Sequence, residues 1–274
     1  MVKVSYKYPS CSRDFHPRQV LTSLFYCPIS ITQKARMVAI SHLLTRVIAG
    51  IPVPNTPLIN SSIALTRAAL PDQGYNHVMR SWLNGQAIIN NLPATNRSKI
   101  DQEAFGIATI LHDLGWSNDT TYISPDKRFE IDGAIAARTF LQAHGGPTWR
   151  SAQRLQLVFD IIALHSTASI ARYKQPEVAI ASGGILTELL GPSVARTSFG
   201  ELITVSQAQW EDIARAYPRE DVKEYFNGVM VGLCTMKPDT TWDNFVSDYG
   251  EVLIEGFNRT GHRTVDLTQM YLVD

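Results

Sequence analysis

From residue 30 onward, apolar residues recur at helical spacing, and turn formers cut that pattern into mostly helix-sized segments. A chain patterned this way buries one stripe of each helix against its neighbours, so the expected fold class is all-α. Ser30 with Gln33 forms a capping-box start ahead of "KARMVAISHLLTRVIAG", which closes on a glycine, so a helix is expected there. The prolines of "IPVPNTP" then break the chain, and a loop is expected to follow. "GYNHVMRSWLNGQAIINNLP" reads as a second helix ending before Pro93, and Ser98 with Asp101 caps a third that runs through "EAFGIATILHD". Residues 114 to 128 hold turn formers without a sustained period, which predicts a loop overhanging the third helix's end. Helical spacing resumes in "FEIDGAIAARTFLQAHGG", "TWRSAQRLQLVFDIIALH" and "PEVAIASGGILTELLG", the last opened by Pro176 and closed by Gly191. "SQAQWEDIARAYP" and "TTWDNFVSDYGEVLIEGF" repeat the capping pattern, whereas residues 1 to 28 and the final "GHRTVDLTQMYLVD" carry weaker signals and are expected to pack on the helical body.

At 274 residues and 45% hydrophobic, the chain can bury a substantial core. No repeat, low-complexity tract or linker divides it, so a single domain over 1–274 is expected. Lysine plus arginine equals aspartate plus glutamate at 25 each, which favours neither nucleic acid nor an anionic membrane as partner. A small molecule is the expected partner, and the sequence leaves homo-oligomerisation open. The opening "MVKVSYKYPSCSRDF" lacks the apolar core of a secretion signal, and no eighteen-residue apolar run occurs, so a cytoplasmic protein without a membrane span is expected. Cys11, Cys27 and Cys234 form no CxxC pair and read as packing residues rather than zinc ligands. No GxxxxGK loop is present, and "SGGIL" follows no expected strand, so a phosphate cradle is not expected.

The chemistry-bearing stretch is "GIATILHDLGW", where His112 and Asp113 end an apolar helical run. Such a pair is either a solvated helix end or, if buried, a pair that loses solvation unless bound to a cation. His77 lies on the preceding expected helix, which a short connection folds back against the third, bringing two imidazoles and a carboxylate together.

These residues resemble the HD-domain superfamily of metal-dependent hydrolases, whose pattern is a histidine, a distant histidine–aspartate pair and a later aspartate. "NHVMRSWLNG", "LHDLGW" and "FEIDGA" are most similar to its cyanamide hydratase-like branch, with Arg80 and Gly85 after the first histidine and Phe129–Glu130 after the metal motif. The resemblance covers about residues 70 to 192. It implies a compact multi-helix bundle with a helical C-terminal extension, and His77, His112 and Asp113 as metal ligands. The fourth ligand position falls on Glu188, three residues before Gly191, where the family has aspartate. The implied cofactor is one divalent ion, zinc first, with iron or manganese as alternatives.

Two imidazoles and two carboxylates leave open positions on such an ion, which lowers the pKa of bound water toward neutrality. The resemblance implies hydration of a small nitrogen-containing substrate, cyanamide or a nitrile. His165 matches a family position at the rim of the metal pocket and is expected to shuttle protons or bind substrate. Glu130 is a candidate proton carrier or a helix cap, and Arg80 a candidate for holding a ligating carboxylate or an anionic substrate. The competing expectations are a phosphohydrolase using Arg80, Lys127 and Arg128, a two-iron oxygenase with Glu130 and His165 on a second metal, and a binding protein with a decayed site. Trp116, Tyr122 and Phe129 are expected to screen the pocket from water, while His16, His42, His144 and His262 read as structural.

Overall fold

The computed structural model describes residues 44–272, and within them the first element is a hairpin. Strands β1 (Thr45–Ile48) and β2 (Ile51–Pro54) pair antiparallel with Ile48 opposite Ile51. Ala49 at φ 48° and Gly50 at φ 77° both lie in the left-handed region, as a tight two-residue hairpin turn requires. This corrects the expected helix ahead of Gly50 over its last residues; its start lies outside the described residues. The β-branched run Thr45, Val47, Ile48 fits a pleated surface, and the register turns Ile51 and Val53 into the core while Pro52 stays exposed.

Helices make up nearly everything else. They are α1 (Pro57–Ala69), α2 (Asp72–Asn91), α3 (Ala94–Arg97), α4 (Gln102–Leu111), α5 (Phe129–His144), α6 (Ala152–Leu164) and α7 (Ala168–Ala171), followed by α8 (Pro176–Leu190), α9 (Pro192–Phe199), α10 (Gln207–Ala216), α11 (Val222–Met236), α12 (Val246–Leu253) and α13 (Thr264–Tyr271). The all-α class is observed, with the hairpin its only sheet among the described residues. No helix among them is long and apolar enough to cross a membrane.

Helix α1 stands where a loop was expected. Thr56 accepts a hydrogen bond from the Ile59 amide and Pro57 occupies the first helical position, a strong start signal inside a proline-rich stretch. At α4 the cap is Asp101 itself, accepting from the Ala104 amide, rather than Ser98, which ends the single turn of α3. Ser206 and Gln209 form the expected capping box of α10.

Helices α2, α4, α6 and α8 surround the main core, with α5 outside α6 and α1 outside α4. The closest approach is between α2 and α8. A Cβ on Gly184 would stand 2.7 Å from the Gly85 Cα, so two glycines let the backbones touch. Helix α4 is buried on every side from Ala104 to Leu111, which suits its almost wholly apolar sequence. It therefore delivers its C-terminal His112 and Asp113 into the interior, not to the surface.

A second apolar cluster lies on α11 and α12. It joins Met230, Leu233 and Val246 to Val78 of α2, Trp116 and Phe129. Lys237, at the end of α11, donates to Asp132 at 2.7 Å and to the carbonyls of Ser124 and Lys127, fastening this layer to the segment between α4 and α5. The buried histidines sit at the seam between the two clusters.

Candidate metal centre

His77 is on the inward face of α2, His112 caps the C-terminus of α4, Asp113 opens the short 3-10 turn Leu114–Trp116, and His165 caps α6. Gly115 makes that turn possible, because a Cβ there would run into the Phe129 carbonyl. All four side chains are buried, His112 and Asp113 completely.

Each imidazole has its Nδ1 committed outward. His112 Nδ1 lies 2.8 Å from the Thr109 carbonyl and His165 Nδ1 lies 2.7 Å from the Ile162 carbonyl. A carbonyl only accepts, so both Nδ1 atoms carry a proton and both Nε2 atoms are left free. His77 Nδ1 donates to Glu188 Oε2 at 2.7 Å.

The Nε2 atoms gather around Asp113. Its Oδ2 is 3.2 Å from His77 Nε2 and 3.0 Å from His112 Nε2, and its Oδ1 is 3.7 Å from His165 Nε2. Yet neither carboxylate oxygen, nor His112 Nε2, has a hydrogen-bond partner. A fully buried carboxylate is costly unless a donor or a cation meets it; with Nδ1 protonated, each imidazole meets it either through a further proton on Nε2, as the raised pKa of His77 favours there, or through a lone pair that repels it. A cation between them relieves both problems, and outward partners on Nδ1 are the arrangement that orients histidine ligands. Ligand atoms of His77, His112 and Asp113 lie within 4.8 Å of one another, so this buried trio could hold a metal ion.

The electrostatics agree. Burial opposes charge on His77, but Glu188 and Asp113 outweigh it and raise its pKa to about 9. Burial likewise opposes the Asp113 anion, and His112 and His77 nevertheless hold it well below the usual carboxylate range. At His165 burial prevails, reinforced by His112, and the pKa falls to about 4. Positive charge is thus favoured at His77, between Glu188 and Asp113, and opposed at His165.

Glu188 is not placed as a fourth ligand. Its Oε2 is on the far nitrogen of His77, and its Oε1 accepts from Arg80 Nε at 2.7 Å and Arg219 at 2.8 Å. Despite complete burial, these three cationic partners bring its pKa down to about 2. The longer side chain reaches past the expected ligand position to the outer side of the imidazole. Arg80 Nη1 donates to the Tyr217 and Pro218 carbonyls while its Nε holds Glu188, its Nη2 is buried without a partner, and the residue does not line the cavity. Glu130 is buried behind the site, where Arg128 and the Ser166 hydroxyl occupy its carboxylate, with Arg128 at 2.7 Å.

A cavity of about 230 Å³ opens directly on this centre, with His77, Asp113 and His165 at its inner end and Ser166 beside them. Trp116, stacked on His77 at 5.5 Å and 17°, and Phe129 form one wall. Neither Arg80, Glu130 nor Glu188 reaches it. The other hollows touch none of these histidines; the two largest measure about 490 and 810 Å³, the larger sharing only Trp116 with the site. Tyr122 lines the smaller of these and is remote from the centre, correcting its expected screening role.

Arg219, Ser166, and the aromatic cover of Phe226, Phe245 and Tyr249 were not singled out from the sequence. Arg219 follows a proline between helices, where no local pattern marks it. No family model matches the chain, and no curated protein matches its sequence.

Proposed function

We propose that this chain is a metal-dependent hydratase or hydrolase of the HD type, adding water to a small nitrogen-containing substrate such as cyanamide or a nitrile. The observation that carries the reading is the convergence of the Nε2 atoms of three Nδ1-anchored histidines on one fully buried carboxylate. His77, His112 and Asp113 would hold one divalent ion, with zinc the expected metal for two imidazoles and a carboxylate. Such an ion supplies Lewis acidity and a nucleophilic hydroxide at neutral pH.

The chain's own groups provide the rest. Glu188, Arg80 and Arg219 lock the His77 ring so that Nε2 faces inward. His165, with its Nδ1 proton on Ile162, keeps the Nε2 lone pair toward the cavity, where it accepts a hydrogen bond from the attacking water and aims it at the substrate carbon. Ser166, held by Glu130, is a hydroxyl at the same rim. Trp116 and Phe129 exclude bulk water.

The competing chemistries lack their groups. Lys127 pairs with Asp126 at the surface and Arg128 with Glu130, so no lysine or arginine lines the cavity to receive a phosphate. Glu130 is engaged by Arg128 and Ser166 and does not line the cavity, so it is not presented to a second ion beside His165. The test is metal analysis of the purified full chain, followed by turnover of cyanamide, simple nitriles and a phosphomonoester by the metal-loaded protein. One ion per chain, with urea or amide formed, is expected. Phosphate release without nitrile or cyanamide turnover refutes the reaction.

A further inference from the structure

Apart from His77, Asp113, His165, two serines and the Tyr249 hydroxyl, the cavity is lined by apolar side chains. Beyond the histidines its wall is built from Ile185, Leu186 and Leu189 of α8, facing Phe226 of α11 and Phe245 and Tyr249 on the opposite side. These apolar side chains belong to the seam between the bundle and the α11–α12 layer, and the aromatic three are only half-buried there. No lysine or arginine lines the cavity. Arg219 and Arg80 are bonded to Glu188 and to backbone carbonyls, and Arg128 to Glu130. A charged substrate tail would lose its hydration in this space without gaining a partner.

We infer that the cavity holds the apolar arm of an uncharged organic substrate, with its polar carbon–nitrogen end at His77, Asp113 and His165. The position of that polar end rests on the function proposed above; the preference for an apolar arm rests on the walls alone. Benzene fits an apolar cavity of about 150 Å³, so 230 Å³ accommodates a single ring or a short branched chain together with its head group. The favoured substrates are therefore aryl or medium alkyl nitriles or amides, and cyanamide itself leaves most of the space unfilled.

The test is ligand-observed NMR on the full chain, with and without zinc, using acetonitrile, butyronitrile, benzonitrile and phenyl phosphate. Affinity is expected to rise about fourfold for each added methylene. Benzonitrile should exceed acetonitrile with or without the metal, and phenyl phosphate should not compete. Leu189→Trp, which fills the cavity, should weaken benzonitrile binding at least about tenfold while zinc uptake is retained. Phe245→Ala, which widens it, should shift the optimum to longer alkyl nitriles. Affinity independent of chain length, or tighter binding of phenyl phosphate, overturns the inference. Zinc uptake without chain-length dependence sinks the apolar arm and leaves the metal reading standing; chain-length dependence without zinc uptake does the reverse.

Discussion

Replacing Glu188 by Gln separates an orienting carboxylate from a ligating one. The native side chain is fully buried and joins His77 Nδ1 at 2.7 Å, Arg80 at 2.7 Å and Arg219 at 2.8 Å. Removing its charge leaves two guanidinium groups facing a neutral amide, the situation that costs about 3–5 kcal/mol when a buried ion pair is broken. For a domain of this size that is a fall in Tm of roughly 6–20 °C. The amide oxygen can still accept from His77 Nδ1, so the imidazole keeps its direction but loses an anionic partner. Zinc affinity should then drop by about 10- to 100-fold with stoichiometry kept at one per chain. Arg80→Met is the control: it breaks the same pair and lowers Tm comparably, but leaves the Glu188–His77 bond in place, so zinc affinity should hold. The assay is competition titration against a chromophoric chelator, with thermal melts of the same samples. A Glu188→Gln protein that stays folded but loses zinc far beyond about 100-fold would make Glu188 a direct ligand. Unchanged zinc affinity would remove His77 from the centre.

Zinc at about one hundred times its dissociation constant should stabilise the full chain by about 2.7 kcal/mol, a rise of roughly 5–11 °C in Tm. Asp113→Asn should abolish that rise, and a rise that survives the substitution would place the ion elsewhere. Gly184→Ala puts a methyl into the Gly85 backbone and should cost about 1–3 kcal/mol by overpacking, read by urea denaturation; an unchanged midpoint would mean that α2 and α8 do not touch there. Lys237→Met leaves the Asp132 carboxylate buried with only Ser124 as partner and should cost about 3–5 kcal/mol. Adding Asp132→Leu should recover much of that loss, and a single-variant cost within error of zero would show that the pair does not fasten α11.

Legibility in the sequence followed how local each signal was. The helices bearing His77, Asp113 and Glu188 were legible because their apolar period is long and their ends carry Pro93, Pro176 and Gly191 as stops or starts. The hairpin at residues 45–54 was missed because Val47, Ile48, Ile51 and Val53 suit either period over so short a run, and only the left-handed Ala49–Gly50 turn decides between them. Helix α11 was overlooked although Val222, Tyr225, Phe226, Val229, Met230 and Leu233 keep helical spacing throughout. Gly228 and Gly232 weaken its intrinsic propensity, and burial against Trp116 and Phe129 makes up the difference. That omission mattered, because α11 and α12 supply the wall that decides what the cavity accepts.

At the site, residue identity was easier to read than residue role. The pairing of His112 with Asp113 at the end of a wholly apolar helix implies burial, and both side chains are fully buried in a trio with His77 that could hold a metal ion. Glu188 was read as a ligand because sequence order records which residues approach the centre but not from which side of an imidazole. The deciding fact is three-dimensional: Arg219, from a loop after α10, meets Arg80 of α2 on the outer side of His77 and draws the carboxylate there. Both guanidinium groups lie on the outer side of the ring, and the carboxylate of Glu188 is bonded to them there. An arginine in an irregular segment, invisible to periodicity, thus converts an expected inner ligand into an outer brace.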